Sequence, residues 1–159
     1  MVMRLVGGLT TILVGVAALE LLATILGRSA TRSRIAPGRA LLVYDDGCGL
    51  CSRAARFVSR RAVEQLELVP FSGLPHTGIL EQLSQRELRA SAHFVSFDGV
   101  EYHGGESVTR AARLLPGGGA VALLDRPLLR GLREIVYRLV AWQRDRISRW
   151  LSSRSGVSI

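Results

Sequence analysis

At 159 residues, nearly half of them apolar, the chain has the length and composition for one compact domain with an appendage. Its net charge of +8 rests on 21 basic residues, all arginine; with few aromatics to stack on bases and no recognised motif, that charge does not point to nucleic acid. Two cysteines cannot build a disulfide framework, so the fold stands on its core and the cysteine pair reads as a working one.

Residues 5–26, LVGGLTTILVGVAALELLATIL, hold one charge, Glu20, and no proline. About 20 apolar residues cross the hydrocarbon core of a bilayer. Residues 1–27 are therefore expected to form a hydrophobic helix and to act as a single-pass membrane anchor. A cleaved signal peptide and a long helix packed on the domain are the alternatives. The cut would fall near Ser29-Ala30, where Arg28 fits the small-residue rule poorly. Arg4 precedes the segment, while Arg28, Arg32, Arg34 and Arg39 follow it, a bias that puts the rest of the chain on the cytoplasmic side.

Residues 28–39 read as an arginine-rich linker, residues 40–154 as the domain, and residues 155–159 as a tail. Residues 40–44, ALLVY, are a continuous apolar run suited to a buried strand. Asp45, Asp46 and Gly47 turn the chain into the cysteines. Residues 51–64 pattern as an amphipathic helix, with Ala54, Ala55, Phe57, Val58 and Ala62 opposite Arg53, Arg56, Arg60 and Arg61. Residues 66–70 alternate as a second strand, 71–76 form a loop, and 78–83 a short helix. The S-x-x-E at Ser84 to Glu87 predicts a capping box and another short helix.

Residues 92–97 and 100–103 read as a β-hairpin closed by Asp98-Gly99. Gly104-Gly105 ends it. Residues 106–115 form a helix stopped by Pro116 and by Gly117 to Gly119, which read as a break and not as a phosphate cradle. Asp125 is placed to cap a final long helix with Pro127 in its first turn. Its apolar positions run through Leu128, Leu132, Ile135, Leu139 and Trp142. Seven arginines from Arg126 to Arg149 lie among them, which suits either a core helix with a solvated face or a helix lying on an anionic membrane. The order of elements is that of an α/β fold, a thioredoxin-like sandwich between the N-terminal hydrophobic helix and the long C-terminal one.

Cys48-Gly49-Leu50-Cys51 sits between the first strand and the first helix of this domain. Two intervening residues let both sulfurs meet across one helical turn, and a helix N-terminus stabilises a thiolate, the reactive form. The chemistry suggested is reversible dithiol–disulfide exchange, with Cys48 as nucleophile and Cys51 resolving. Half of a zinc site and an inert buried pair are the other readings, but His76, His93 and His103 lack paired ligand spacing. Asp45 and Asp46 are candidate proton acceptors for Cys51, with helix capping by Asp46 as the structural alternative. His93, in the hairpin, either faces the sulfurs or points elsewhere.

Tyr44-Asp45-Asp46-Gly47-Cys48-Gly49-Leu50-Cys51 resembles the signature of the DCC family of predicted thiol-disulfide oxidoreductases. Asp45 matches the family's Asp, Asp46 stands where its Gly is usual, and Gly47 fills the variable position. Tyr102-His103-Gly104-Gly105-Glu106-Ser107 is similar to the segment entering the family's next helix. Val136 to Arg144 is similar to its closing helix, with Tyr137, Ala141 and Arg144 in a Tyr-x-x-x-Ala-x-x-Arg pattern. The resemblance covers about residues 40–150. It implies a thioredoxin-like fold, Cys48 and Cys51 as the redox pair, and Asp45 or Asp46 as the acidic residue. Unlike thioredoxins, the chain has no proline near Ala92-His93, where those proteins carry a cis-proline.

The expected function is thiol-disulfide exchange with protein or small-molecule thiols and disulfides, without cofactor or metal, on a domain tethered to a membrane through residues 5–26. The alternative is a non-catalytic module of the same fold that binds or assembles a membrane partner.

Overall fold

A computed structural model of the chain describes residues 2–26, 31–34, 36–61, 64–74 and 78–155. In chain order they form α1 (Val2–Leu26), β1 (Thr31–Arg32), β2 (Ala40–Tyr44), α2 (Gly49–Ser59), β3 (Leu66–Pro70), α3 (Gln85–Ala90), β4 (His93–Val95), β5 (Val100–His103), α4 (Gly105–Arg113) and α5 (Pro127–Ser155). Phe71–Gly73 and Gly118–Asp125 are 3₁₀ turns. The strands make one mixed sheet in the order β1-β5-β4-β2-β3, with β2 and β3 parallel and the remaining pairs antiparallel. A parallel pair needs a crossover, and α2 lies in that connection. β4 and β5 are joined through Gly99, whose φ of 86° is backbone that glycine adopts without steric cost.

β2 is the centre of the core because its apolar run has no polar face to leave in water. Successive side chains of a strand point to opposite faces. Leu41 and Val43 pack with Val69, Val95, Ile79 and Leu80, and Ala40 and Leu42 pack with Leu66, Phe94 and Ala111. Residues 79–88 close the first face, and Val58 of α2 with Ala111 of α4 close the second. Each buried Leu or Val stabilises by roughly 1.5–3 kcal/mol, so the end of β2, where the cysteine loop begins, is firmly held. α5 packs across α2 and α4, and α1 lies on α5.

Several expectations are corrected. The single-pass anchor is not borne out: among the described residues no helix is long and apolar enough to cross a membrane. The expected hydrophobic segment instead packs as α1 along α5, so closely that a Cβ on Gly131 would stand 2.7 Å from the Leu19 carbonyl oxygen. The orientation drawn from the flanking arginines goes with the span. The signal-peptide cut at Ser29-Ala30, the residue His76 and the tail beyond 155 lie outside the described residues.

The segment read as a linker contributes β1, an edge strand tied down by a buried carboxylate. Thr31 Oγ1 donates to Glu101 Oε2 at 2.7 Å, Ser33 Oγ donates to Glu101 Oε1, and the Leu80 amide donates to Oε1 at 2.9 Å. Residues 78–83 are turn and not helix: Gly78 and Leu80 have φ of 74° and 55°, which right-handed helix excludes. The first domain helix runs Gly49–Ser59, starting earlier and stopping sooner than 51–64. Asp125 does not cap α5; its carboxylate is drawn to two guanidiniums, Arg113 at 3.0 Å and Arg133. The capping box at Ser84 is present, with Ser84 Oγ accepting from the Glu87 amide at 3.3 Å.

Candidate active site

β2 ends at Tyr44, and the next four residues bend the chain into α2. Asp45 makes the bend. Its carbonyl accepts from the Cys48 amide at 3.2 Å, and its Oδ1 accepts from the Gly47 amide at 3.0 Å, an Asx turn. Cys48 is left extended, at φ −98° and ψ 114°, in the N-cap position of α2. Serine, threonine, asparagine and aspartate usually hold that position, since an oxygen there satisfies a free amide. Here a sulfur takes the role: Cys48 Sγ accepts from the Cys51 amide at 3.3 Å. The Cys51 thiol donates to the same sulfur at 2.7 Å.

Cys48 Sγ thus accepts two hydrogen bonds at the N-terminus of α2. Cys51 is the proton holder. Partial burial, followed by the hydrogen bond and charge of Cys48, pushes its thiol up to about 12 from the ordinary 9.0. Arg144 opposes that push and Asp45 adds to it. Access runs the other way: Cys48 is only 6 % exposed, whereas Cys51 is half-buried.

The two acids divide. The Asp45 carboxylate lies between Arg89 of α3 and Arg144 of α5, each 3.9 Å away. Asp46 is exposed, and its Oδ1 accepts from the Ser72 amide at 3.3 Å, tying the turn after β3 to the cysteine loop. Hydrogen bonding by Ser72 holds the Asp46 carboxyl below its usual range. The capping role considered for Asp46 belongs to Cys48. The structure therefore groups Cys48, Cys51 and Asp45, and turns Asp46 towards Ser72.

α5 completes the surroundings with one face, on which Glu134, Tyr137, Arg144 and Ser148 follow at helical spacing. Glu134 Oε2 accepts from the Gly105 amide at 3.0 Å, at the start of α4. Tyr137 Oη accepts from the Ala92 amide at 2.7 Å, just before β4. Arg144 Nη1 donates to the Arg89 carbonyl at 2.6 Å. Ser148 Oγ stands against Gly49, where a Cβ would collide with it. Burial pushes the Tyr137 hydroxyl up to about 12; the Ala92 amide opposes this, and the neighbouring Cys51 adds to it.

Sequence reasoning did not single out Tyr137, Arg144 or Ser148 for the site. Tyr137 and Arg144 already lay in the four-plus-three spacing of the closing-helix pattern, which is the signal that finds them. His93 points away from the sulfurs: its Nδ1 is 2.8 Å from His103 Nδ1, and its Nε2 is 3.0 Å from the Leu88 carbonyl oxygen. Among the described residues, no group of three or more His, Cys, Asp and Glu side chains is placed to hold a metal ion.

No curated protein and no solved structure matches the chain. A family model does: that of the DCC1-like thiol-disulfide oxidoreductases matches residues 42–150, from within β2 to the last turns of α5. That span contains both cysteines, Asp45 and the whole α5 face just described, and it covers well over half of the chain, which belongs to the DCC1-like thiol-disulfide oxidoreductase family.

Proposed function

We propose that the chain exchanges thiols and disulfides through Cys48 and Cys51 on a thioredoxin-like core. The observation that carries this is the reduced pair itself, with sulfurs 2.7 Å apart at the N-terminus of α2. The order β5-β4-β2-β3, with β2 and β3 parallel and the pair at the first strand-to-helix turn of the sheet's core, supports the thioredoxin-like part of the reading.

The Cys48 thiolate attacks one sulfur of a substrate disulfide. A Cys48–substrate bond forms, the substrate S–S bond breaks, and the other substrate sulfur leaves with the electron pair and takes up a proton. Cys51 then gives its proton to Asp45 and attacks the Cys48 sulfur. The internal disulfide forms as the Cys48–substrate bond breaks. The second substrate sulfur leaves with the bonding pair and takes up the proton released by Asp45, so that the substrate disulfide has gained two electrons and two protons over the two steps. The same steps reversed oxidise a dithiol. Asp46 acts as a brace for the loop through Ser72.

The test is a trap and a potential. The Cys51→Ser variant should accumulate a mixed disulfide on Cys48 that the parent chain resolves. The parent should show a reversible couple within roughly −120 to −270 mV against glutathione. A chain that never closes the internal disulfide contradicts the reading.

One observation favours a second reading, a binding module that retains the fold without the exchange. Leu132, Val136, Leu139 and Val140 of α5 are exposed, as are Ile12, Leu13 and Val14 of α1, which packs on it. Exposed apolar side chains of this number suit a partner surface. Replacing both cysteines by serine separates the two, because the module retains its function and the oxidoreductase loses it.

A further inference from the structure

The α5 face reaches the dithiol from almost a hundred residues away, and three of its members act on separate parts of the site. Ser148 bears on Gly49, between the cysteines. Tyr137 holds the Ala92 amide. Arg144 reaches furthest: one guanidinium nitrogen donates to the Arg89 carbonyl at 2.6 Å and stands 3.9 Å from Asp45 Oδ2. Backbone and the site's carboxylate meet at that one nitrogen, so its cation is held beside the loop that carries the dithiol.

We propose that Arg144 is a positioning residue for the exchange reaction: it holds Asp45 in place and offsets its negative charge, so that Cys51 can give up its proton and close the disulfide. The proposal rests on the dithiol reading and adds a residue to it. Charge accounting gives the reason. Cys48 and Asp45 both disfavour a second negative charge on Cys51. The charged and titratable groups around the pair and its cations are Asp45 and Asp46 of the loop, Arg89 of α3, and Tyr137, Arg144 and Asp145 of α5. Tyr137 is neutral at ordinary pH, and Asp145, 3.9 Å from Arg144 Nε, is solvent-exposed and screened. Arg89 is the more exposed of the two cations, with a side chain 54 % accessible against 26 % for Arg144. Water screens an exposed charge more effectively, so Arg144 is the stronger counterweight.

The experiment isolates one thiol. In a Cys48→Ser background Cys51 is the only cysteine, and its alkylation rate against pH gives one midpoint. Adding Arg144→Gln should raise that midpoint by about 0.5–1 pH unit, as expected for removal of a partly exposed opposite charge. Arg144→Lys keeps the charge and loses the planar fork, so it should stay within about 0.3 of the background. In the chain with both cysteines, Arg144→Gln should slow resolution of a mixed disulfide about 2–4-fold, since the more basic thiolate regains part of the loss as nucleophilicity.

A merely structural role lowers stability without moving the midpoint. An unmoved midpoint in Arg144→Gln, or a lysine variant displaced as far as the glutamine one, overturns the proposal. Where the glutamine variant does not fold, Asp45→Asn gives the mirror test. It removes the opposing charge, so the Cys51 midpoint must fall, and a midpoint that does not fall overturns the proposal equally. The alkylation profile needs no redox cycling. A parent chain that never forms its disulfide therefore defeats the exchange reading while leaving the effect of Arg144 on the thiol measurable.

Discussion

Limiting iodoacetamide at pH 8 should modify Cys48 of the reduced chain first and leave Cys51 nearly untouched. A thiol at about 12 is about one part in ten thousand thiolate at that pH, whereas one at 9.0 is about one part in ten, a difference of roughly a thousandfold. The more basic thiolate is also the better nucleophile. With a Brønsted slope of about 0.4–0.5, that returns roughly 15–30-fold. Cys51 should therefore react about 30–60 times more slowly than an ordinary cysteine. Access works against this ordering, since Cys48 is 6 % exposed and Cys51 half-buried. A small reagent tests which effect wins, with peptide mapping after short times to assign the modified sulfur. Cys51 modified first, or at the rate of an ordinary thiol, would refute the assignment of Cys51 as the proton holder.

Three further outcomes are expected. Burial raises Glu101, but hydrogen bonds from Ser33, Thr31 and the Leu80 amide outweigh it and leave the carboxyl below its usual range. Its stabilisation is therefore complete above the unfolded-state value and lost as pH falls through the lower folded-state value. Urea midpoints should drop on acidification below about pH 4, and Glu101→Gln should flatten that part of the profile. Tyr137→Phe strips the Ala92 amide of its acceptor and should cost about 1–1.5 kcal/mol in urea unfolding. An unchanged midpoint means that another group satisfies the amide. Gly131→Leu forces a side chain against the Leu19 carbonyl, a backbone atom that cannot turn aside. It should prise α1 from α5 at a cost of about 1–3 kcal/mol, seen as new proteolytic cleavage within residues 2–26.

What the sequence made legible follows from how local its signals are. β2, β3 and β5 came out with the bounds expected of them, because apolar runs and a D-G turn are read within a few residues. The cysteine pair at the strand-to-helix turn was legible for the same reason. β1 was not, since Thr31 and Arg32 carry no apolar pattern and are fixed by Glu101, some seventy residues on. The turn at 78–83 was misread because its residues look helical while the Leu80 amide is captured by Glu101. In the site, the Asp46 cap was a sound inference for an oxygen, but a sulfur two residues closer to the helix holds that place. Arg144 was visible only as part of a spacing. Its role depends on where α5 crosses the loop, and no local pattern carries that.

Asp45 poses the sharper question of what its charge is for. The turn into Cys48 needs only an oxygen to accept the Gly47 amide, and asparagine supplies one equally well. The carboxylate also opposes ionisation of Cys51. Beyond its ion pairs with Arg89 and Arg144, the proposed mechanism gives that charge a use in the step itself, taking the Cys51 proton as the internal disulfide forms. Asp45→Asn separates the two effects because they have opposite signs. Alkylation of Cys51 should begin at lower pH, since the repelling charge is gone. Resolution of a mixed disulfide on Cys48 should slow by about 10–100-fold, since the base is gone. If both become faster, Asp45 is only an electrostatic burden held in check by Arg89 and Arg144, and the proton leaves Cys51 directly to water.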